Sequence, residues 1–507
     1  MGISMLLESV ASAFPERILV GSADGGPAAG SLTAADLLTL AGGGATVLRA
    51  AGADAVGFIG TGGPGFPVSL FAAGNAGVPF TPLNYRLPAA QVAELAAGLG
   101  EHPVLVADEQ YAPGVRDIPG VVVLTTDDWL TAAREAEPAA PADVDDEQPA
   151  VVLYTSGTTS KPKGAVLRHS HLVSYVLQTV EFASADSGDA ALISVPPYHV
   201  AGVGTVLTNT FAGRRIVYLP NFAAADWLET VRTEGITQAM LVPTMLSRIV
   251  DHLGGGAADV PALRAVAYGG ARMPRPVLEK ALTCLPDVNF TNAYGLTETS
   301  STIAVLGPDE HRAALASDDP AVRERLGSAG LLVPGVEGQI RDSSGAVLPA
   351  GQPGQLWVRG GQVSGEYLGS GSVLDADGWF HTRDQGWFDA DGYLFISGRT
   401  DDTIIRGGEN IAPAEIEDVL VRHPEVKEVA VIGIPDDEWG TRLVAVIVTE
   451  PGSGLSGDEV REYARARLRG SRTPDDVVFR DGLPHTPTGK LLRRELVADV
   501  HGSAVSS

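Results

Sequence analysis

The segment LYTSGTTSKPKG, Leu153 to Gly164, gathers small hydroxyls, glycines and two lysines in a chain otherwise rich in Ala, Val and Leu. It opens at the end of the apolar run AVVLY (Ala150 to Tyr154), which reads as a strand. A loop that binds phosphate needs backbone N–H groups free to converge on one point, and small residues leave that approach open. Hydroxyls add donors and a lysine supplies full charge. A flexible surface turn has the same composition, so composition alone leaves both readings open. The Walker pattern is absent, because Gly157 is not followed at the required spacing by Gly-Lys-Ser, which disfavours a P-loop NTPase.

On either side of this loop, short apolar runs alternate with helical stretches. ADAVGFIGT (Ala53 to Thr61) reads as a buried strand, followed by a glycine–proline turn and the helix VSLFAAGNAG (Val68 to Gly77). PVLVAD and VVVLTT repeat the strand signal, and the acidic, proline-rich EAEPAAPADVDDEQ (Glu135 to Gln148) reads as a surface connection. After the loop, AALISVPPYH, RRIVYLP, QAMLVPTMLSRIVDHL and RAVAYGGA continue the α/β rhythm. From about Gly327 to Val363 short alternating strands with Gly and Pro turns indicate a β-rich subdomain. Past Arg399 the texture shifts again, to a small α+β unit with a tail, GSAVSS, expected to be disordered. The fold class expected is α/β. Residues 1–400 form a large domain of α/β subdomains plus a β-rich one, and residues 401–507 a small mobile α+β domain.

With 507 residues the chain has room for two to four domains, and 44% hydrophobic with 19% charged residues suits a globular protein with a substantial core. A net charge of -26 sets the general surface against nucleic acid and anionic membranes. One cysteine, Cys284, excludes a disulfide framework within the chain and a thiolate metal cluster. The N-terminus lacks a basic n-region, and no run of eighteen apolar residues offers a membrane span. A cytoplasmic enzyme, monomeric or homodimeric, is expected.

TSGTTSKPKG resembles the phosphate loop of the ANL superfamily of acyl-CoA synthetases, peptide-synthetase adenylation domains and firefly luciferase. Its pattern there is TSGTTG-x-PKG, and Ser160 stands at its last TSGTTG glycine. Further segments resemble the family in order: PPYHVAG (Pro196 to Gly202), YGGA (Tyr268 to Ala271), NAYGLTETS (Asn292 to Ser300), HTRDQGWFDADGYLFISGR (His381 to Arg399), RGGEN (Arg406 to Asn410) and PHTPTGKLLRREL (Pro484 to Leu496). The resemblance spans residues from about 20 to 495.

That resemblance implies a role for each position. Thr155, Ser156, Gly157, Thr158, Thr159 and Lys163 would cradle the phosphates of ATP. Gly270, Ala271, Asn292, Ala293 and Tyr294 would lie along the nucleotide, with the Tyr294 face on adenine. Thr297 would donate to the α-phosphate, and Glu298 would hold Mg²⁺, a cation that prefers oxygen ligands. Asp384 would accept from both ribose hydroxyls and Arg399 would lie near ribose and phosphate. Asp401 would be the hinge, and Gly407 and Gly408 would line the pantetheine tunnel. Lys490 would neutralise charge at the α-phosphate as the carboxylate attacks, while Arg493 and Arg494 read as helix-face charges. His199 would gate an acyl pocket formed with Gly202, Val203, Gly204, Gly269 and Gly295.

The implied reaction makes an acyl-AMP from a carboxylic acid and ATP, then transfers the acyl group to the thiol of CoA. Peptide-synthetase domains hold an α-ammonium with an aspartate just after the gate; YHVAGVGTVLTN carries no acid there. The substrate expected is therefore a hydrophobic fatty, aryl or terpenoid-like acid. A carrier-protein thiol as acceptor, a single half-reaction, or a non-catalytic nucleotide-binding protein are the alternatives.

Overall fold

In the computed structural model, residues 2–22, 30–155, 162–406, 409–436, 440–486 and 489–505 are described. The large part of the chain is built on two mixed sheets of nine and eight strands and an antiparallel sheet of four. The small part carries a three-stranded sheet and a hairpin. Residues up to Ile396 share cores with one another, and residues from Ile404 onward form cores of their own.

Strand Ala55–Ile59 lies between the parallel strands Phe80–Pro82 and Pro103–Ala107, and all five of its residues are buried. A continuous apolar run is what a parallel strand covered on both faces requires. Helix Gly65–Ala76 makes the crossover and stops at Gly77, whose φ of 77° suits the left-handed cap. In the nine-stranded sheet, Ala190–Ile193, Gln238–Leu241, Ala265–Gly269 and Asn289–Leu296 run parallel. Their carboxyl ends therefore open on one edge, the usual place for a ligand in an α/β sheet.

Helix Ala34–Ala50 contains Gly42, Gly43 and Gly44 in mid-course, against helix propensity. Packing accounts for them. A Cβ on Gly43 would overlap the Ala133 carbonyl oxygen, and one on Gly44 would sit 2.9 Å from the Trp129 ring. The glycines let helix Thr126–Glu135 and its fully buried Trp129 close against the sheet.

Two expectations need correction. The β-rich region does not end near Val363: strands Phe380–Phe388 and Leu394–Arg399 complete the four-stranded sheet. Their charged and glycine-rich turns hid them. Helix Arg493–Val505 also runs into the tail expected to be disordered. The acidic connection does lack regular structure from 136 to 148, and Cys284 is buried.

Gly43→Ala is expected to lower unfolding free energy by about 1–3 kcal/mol, since overpacking must move backbone. Gly188→Ala, with open space around it, should stay within about 0.5 kcal/mol. Urea denaturation of both variants checks the contrast.

Candidate active site

Strand Pro149–Thr155 pairs antiparallel with Lys163–Arg168, and Thr155 lies opposite Lys163. The two strands that flank the glycine-rich segment are thus an antiparallel pair, and Thr155 Oγ1 donates to the Lys163 carbonyl at 3.3 Å. Ser156, Gly157, Thr158 and Thr159 lie outside the described residues, as do Gly407 and Gly408. Lys163 Nζ stands 5.6 Å from the ring centroid of Tyr367. The Tyr367 hydroxyl donates to Glu298 Oε1 at 2.6 Å. One tyrosine therefore bridges the loop lysine and the carboxylate of the TETS turn.

Glu298 lies in the short turn Thr297–Thr299 directly after strand Asn289–Leu296, with Thr297 beside it. Its own carbonyl accepts from Ser364 and Gly365 N–H, which fixes the turn on the β-rich subdomain. Ser300 and Ser301 then take φ of 56° and 110°, so the chain reverses in strained backbone beside the site. Among the described residues no group of three or more His, Cys, Asp or Glu forms a metal cage.

Asp384 is 6% exposed and accepts from the Tyr294 hydroxyl at 2.5 Å. Arg399 Nε lies 3.6 Å from its other oxygen. Burial pushes the Asp384 carboxyl above the usual range, opposed by Arg399, the Tyr294 hydroxyl and Lys490. Burial first, then Asp384, keeps the Tyr294 phenol well above its ordinary value, so it remains a donor. Lys490 reaches this cluster from the small part of the chain. Although residue 490 keeps exposed surface, burial and then Arg399 pull its ammonium below the ordinary range, against Asp402, Asp384 and Asp401. One arginine and three aspartates are its electrostatic neighbours.

The turn preceding Lys490 closes through Gly489 N–H to the Thr486 carbonyl. Asp401 sits in the turn Thr400–Asp402, 3.8 Å from Arg383, a non-glycine residue at φ 64°. Arg493 is not a simple helix-face charge. Its guanidinium grips Glu417 through both nitrogens at 2.5 and 3.0 Å, donates to the Val431 carbonyl at 3.0 Å and lies 3.8 Å from Asp402. It ties the lysine-bearing segment to the small sheet and to the hinge turn.

His199 caps helix Val200–Ala212, and its ring lies 4.5 Å from Tyr198. Burial, then Arg86, lowers its pKa to about 4, and its Nε2 is a buried polar atom with no partner among the described residues. Burial thus favours the neutral ring, and its unpartnered nitrogen is enclosed rather than open to solvent. Val203 and Gly202, expected to line the acyl pocket, are both buried. Val203 has no exposed surface and belongs to the main core. The bare face of Gly202 meets Pro197, where a Cβ would lie 2.7 Å from Cα, so this glycine serves packing. Gly204 faces Tyr175 and Ser301, and a Cβ there would meet ordinary contacts at 3.4 and 3.6 Å. Gly269 and Gly295 leave no space for a Cβ beside the Ala293 and Ser301 carbonyls. Gly270, at φ 81°, and Ala271 continue from the sheet edge, and Ala293 is half-buried beside Gly269. Asn292 spends its amide on the Ser328 carbonyl at 2.9 Å. No single-sequence signal marked Tyr367, Arg383 or the hydroxyl of Tyr294.

Residues 7–368 match the AMP-binding enzyme family, and residues 415–490 match the AMP-binding enzyme C-terminal domain. The chain belongs to the AMP-binding enzyme family. Expected membership in the ANL superfamily and its fold are borne out. This AMP-binding enzyme is 34% identical over 470 residues to the fatty acid–acyl-carrier-protein ligase ScoC of Streptomyces coeruleorubidus, covering 89% of the chain and 88% of that relative. It is 35% identical over 458 residues to a feruloyl-CoA synthase of an Amycolatopsis species, covering 89% and 90%. Its fold matches ATP-bound MatB from Rhodopseudomonas palustris with a TM-score of 0.87 at 27% identity, covering 98% and 99%. Among the described residues no helix is long and apolar enough to cross a membrane.

Tyr294→Phe should weaken AMP binding about tenfold, because the Asp384 carboxylate loses a charge-assisted partner. Titration calorimetry with AMP reads this directly, and unchanged affinity would contradict it.

Proposed function

We propose that this chain activates a hydrophobic carboxylic acid, fatty, aryl or terpenoid-like, and passes the acyl group to CoA. As a member of its family it is an AMP-forming acyl-CoA synthetase; the acid and the residue roles are what the proposal adds. A carboxylate oxygen attacks the α-phosphorus of ATP and pyrophosphate leaves. The CoA sulfur, having lost its proton, then attacks the acyl carbon and AMP leaves. Charge grows on phosphoryl oxygens in the first step, so positioned cations supply most of the catalysis.

The observation that carries this reading is the electrostatic coupling of Lys490, from one separately cored part, to Asp384 and Arg399 of the other. Asp384 would hold the ribose and Tyr294 the adenine, while Lys490 neutralises the reacting phosphate. Glu298 fits Mg²⁺, because that ion takes one or two carboxylates together with substrate phosphates. When bound it would supply charge neutralisation at the phosphates. Rotation about Asp401, between domains divided at residues 400 and 401, would then exchange Lys490 for the RGGEN loop.

An apolar acid is favoured by helix Val200–Ala212. Ala201, Thr205 and Thr208 are its half-buried stripe, and both threonine hydroxyls donate to carbonyls of their own helix. That leaves methyl groups outward. The two curated relatives, one for a fatty acid and one for ferulate, fit the same class. A carrier-protein thiol is the second reading, favoured by the acyl-carrier-protein ligase among them. Both cosubstrates suit a cytoplasmic site of action.

A panel of acids with ATP, Mg²⁺ and either CoA or a phosphopantetheinylated carrier protein, read by mass spectrometry, tests substrate and acceptor together. Lys490→Ala is expected to cut ATP–pyrophosphate exchange at least a hundredfold while sparing thiolation of supplied acyl-AMP, on the scale of one lost electrostatic group. Equal loss of both half-reactions would contradict the role.

A further inference from the structure

Among the described residues, three contacts away from the hinge turn bear on how the small part of the chain meets the large one. Asp418, on helix Pro413–Leu420, pairs with Arg272, which directly follows the Gly269–Ala271 turn at the open edge of the sheet. Lys427 Nζ stands 3.9 Å from Asp251, near the end of helix Pro243–Leu253. At the start of that same helix, Thr244 receives Gly489: a Cβ on Gly489 would lie 2.7 Å from Thr244 Oγ1. Gly489 also takes φ 76°, so conformation and space both demand glycine there.

These contacts differ in kind. The Thr244–Gly489 approach is steric and limits how close the turn can come. The lysine pair is long and half-exposed on both sides. The arginine pair is a direct hydrogen-bonded contact between a guanidinium and a carboxylate, and it has orientation. Its two members come from opposite sides of the hinge turn, and they meet in the same pose that couples Lys490 electrostatically to Asp384.

We propose that Arg272 and Asp418 are positioning residues for adenylate formation: their ion pair holds the small domain in the seated pose and acts through Lys490, without touching substrate. The inference rests on the reading that Lys490 serves the first half-reaction and that the domain turns for the second. A half-exposed pair contributes little to global stability. A balance between two domain poses is far more sensitive, since the same small bias changes a population ratio several-fold.

The test uses the full chain. Cys284 is the only cysteine and is buried, so Lys280→Cys and Glu462→Cys, both at exposed positions, take spin labels selectively. In MgATP the labelled protein should show a dominant distance population matching the seated pose. Arg272→Gln and Asp418→Asn should each lower the ratio of seated to unseated molecules about three- to tenfold. Arg272→Asp combined with Asp418→Arg should restore it, which a merely structural role would not do. ATP–pyrophosphate exchange, with any acid that the panel finds active, should fall in proportion to the seated fraction in the single variants while thiolation of supplied acyl-AMP holds. Unchanged populations in the single variants, or no recovery in the exchanged pair, would overturn the proposal. If the populations respond as described but no acid supports exchange in the wild type, the pair stands as a latch and the catalytic reading falls instead.

Discussion

A glycine turn closes against the start of one helix, and the lysine that follows it brings charge from the small part of the chain to the large one. Gly489 fits over Thr244 with no room for a side chain, and the next residue is Lys490. That seating carries a cation from the end of the chain to Asp384 and Arg399 in the β-rich subdomain. The setting makes it matter. A chain with 62 acidic and 36 basic residues has an electrostatic surface hostile to a polyanion. Binding a triphosphate in such a field requires cations to be collected at one place. Lys163 at a strand start and Arg399 at a strand end belong to the large part of the chain, and Lys490 comes from the other.

The carboxylates at this place are held rather than free. Tyr294 donates to Asp384, and Tyr367 donates to Glu298 while lying under Lys163. Each phenol fixes the direction of an acid that would otherwise swing in solvent, which is the preorganisation that electrostatic catalysis depends on. Arg493 does the same at the level of segments, binding the lysine-bearing stretch to Glu417 and standing near the hinge at Asp402. The open edge of the parallel strands gathers the remaining parts, because His199, Thr244, Gly270 and Glu298 all follow strand ends on that edge.

Much of this architecture was legible in single segments. Parallel strands such as Ala55–Ile59 are short apolar runs between glycine turns, and helix Pro243–Leu253 announces itself with a proline start and a glycine stop. Helix Ala34–Ala50 is harder to read, because three adjacent glycines oppose helix propensity and only Trp129 and the Ala133 carbonyl packed against them account for it. The strand bearing Asp384 shows a family resemblance in its motif, while its charged and glycine-containing sequence masks the strand pattern. Tyr294 and Asp384 are ninety residues apart, and no local pattern pairs them. The glycines at 202, 269 and 295 read as space for a substrate, yet a side chain at any of them would meet backbone, and of the three Gly295 alone keeps exposed surface. Absence of a side chain in sequence means room only when nothing else moves in to use it.

The central claim is that groups from both sides of the hinge meet around one nucleotide. A crystal structure with ATP and Mg²⁺ tests it most directly. The account predicts the ribose hydroxyls on Asp384 and the Lys490 ammonium within about 4 Å of an α-phosphate oxygen. Nucleotide bound at the sheet edge with Lys490 turned to solvent, or bound away from Asp384 altogether, would contradict it.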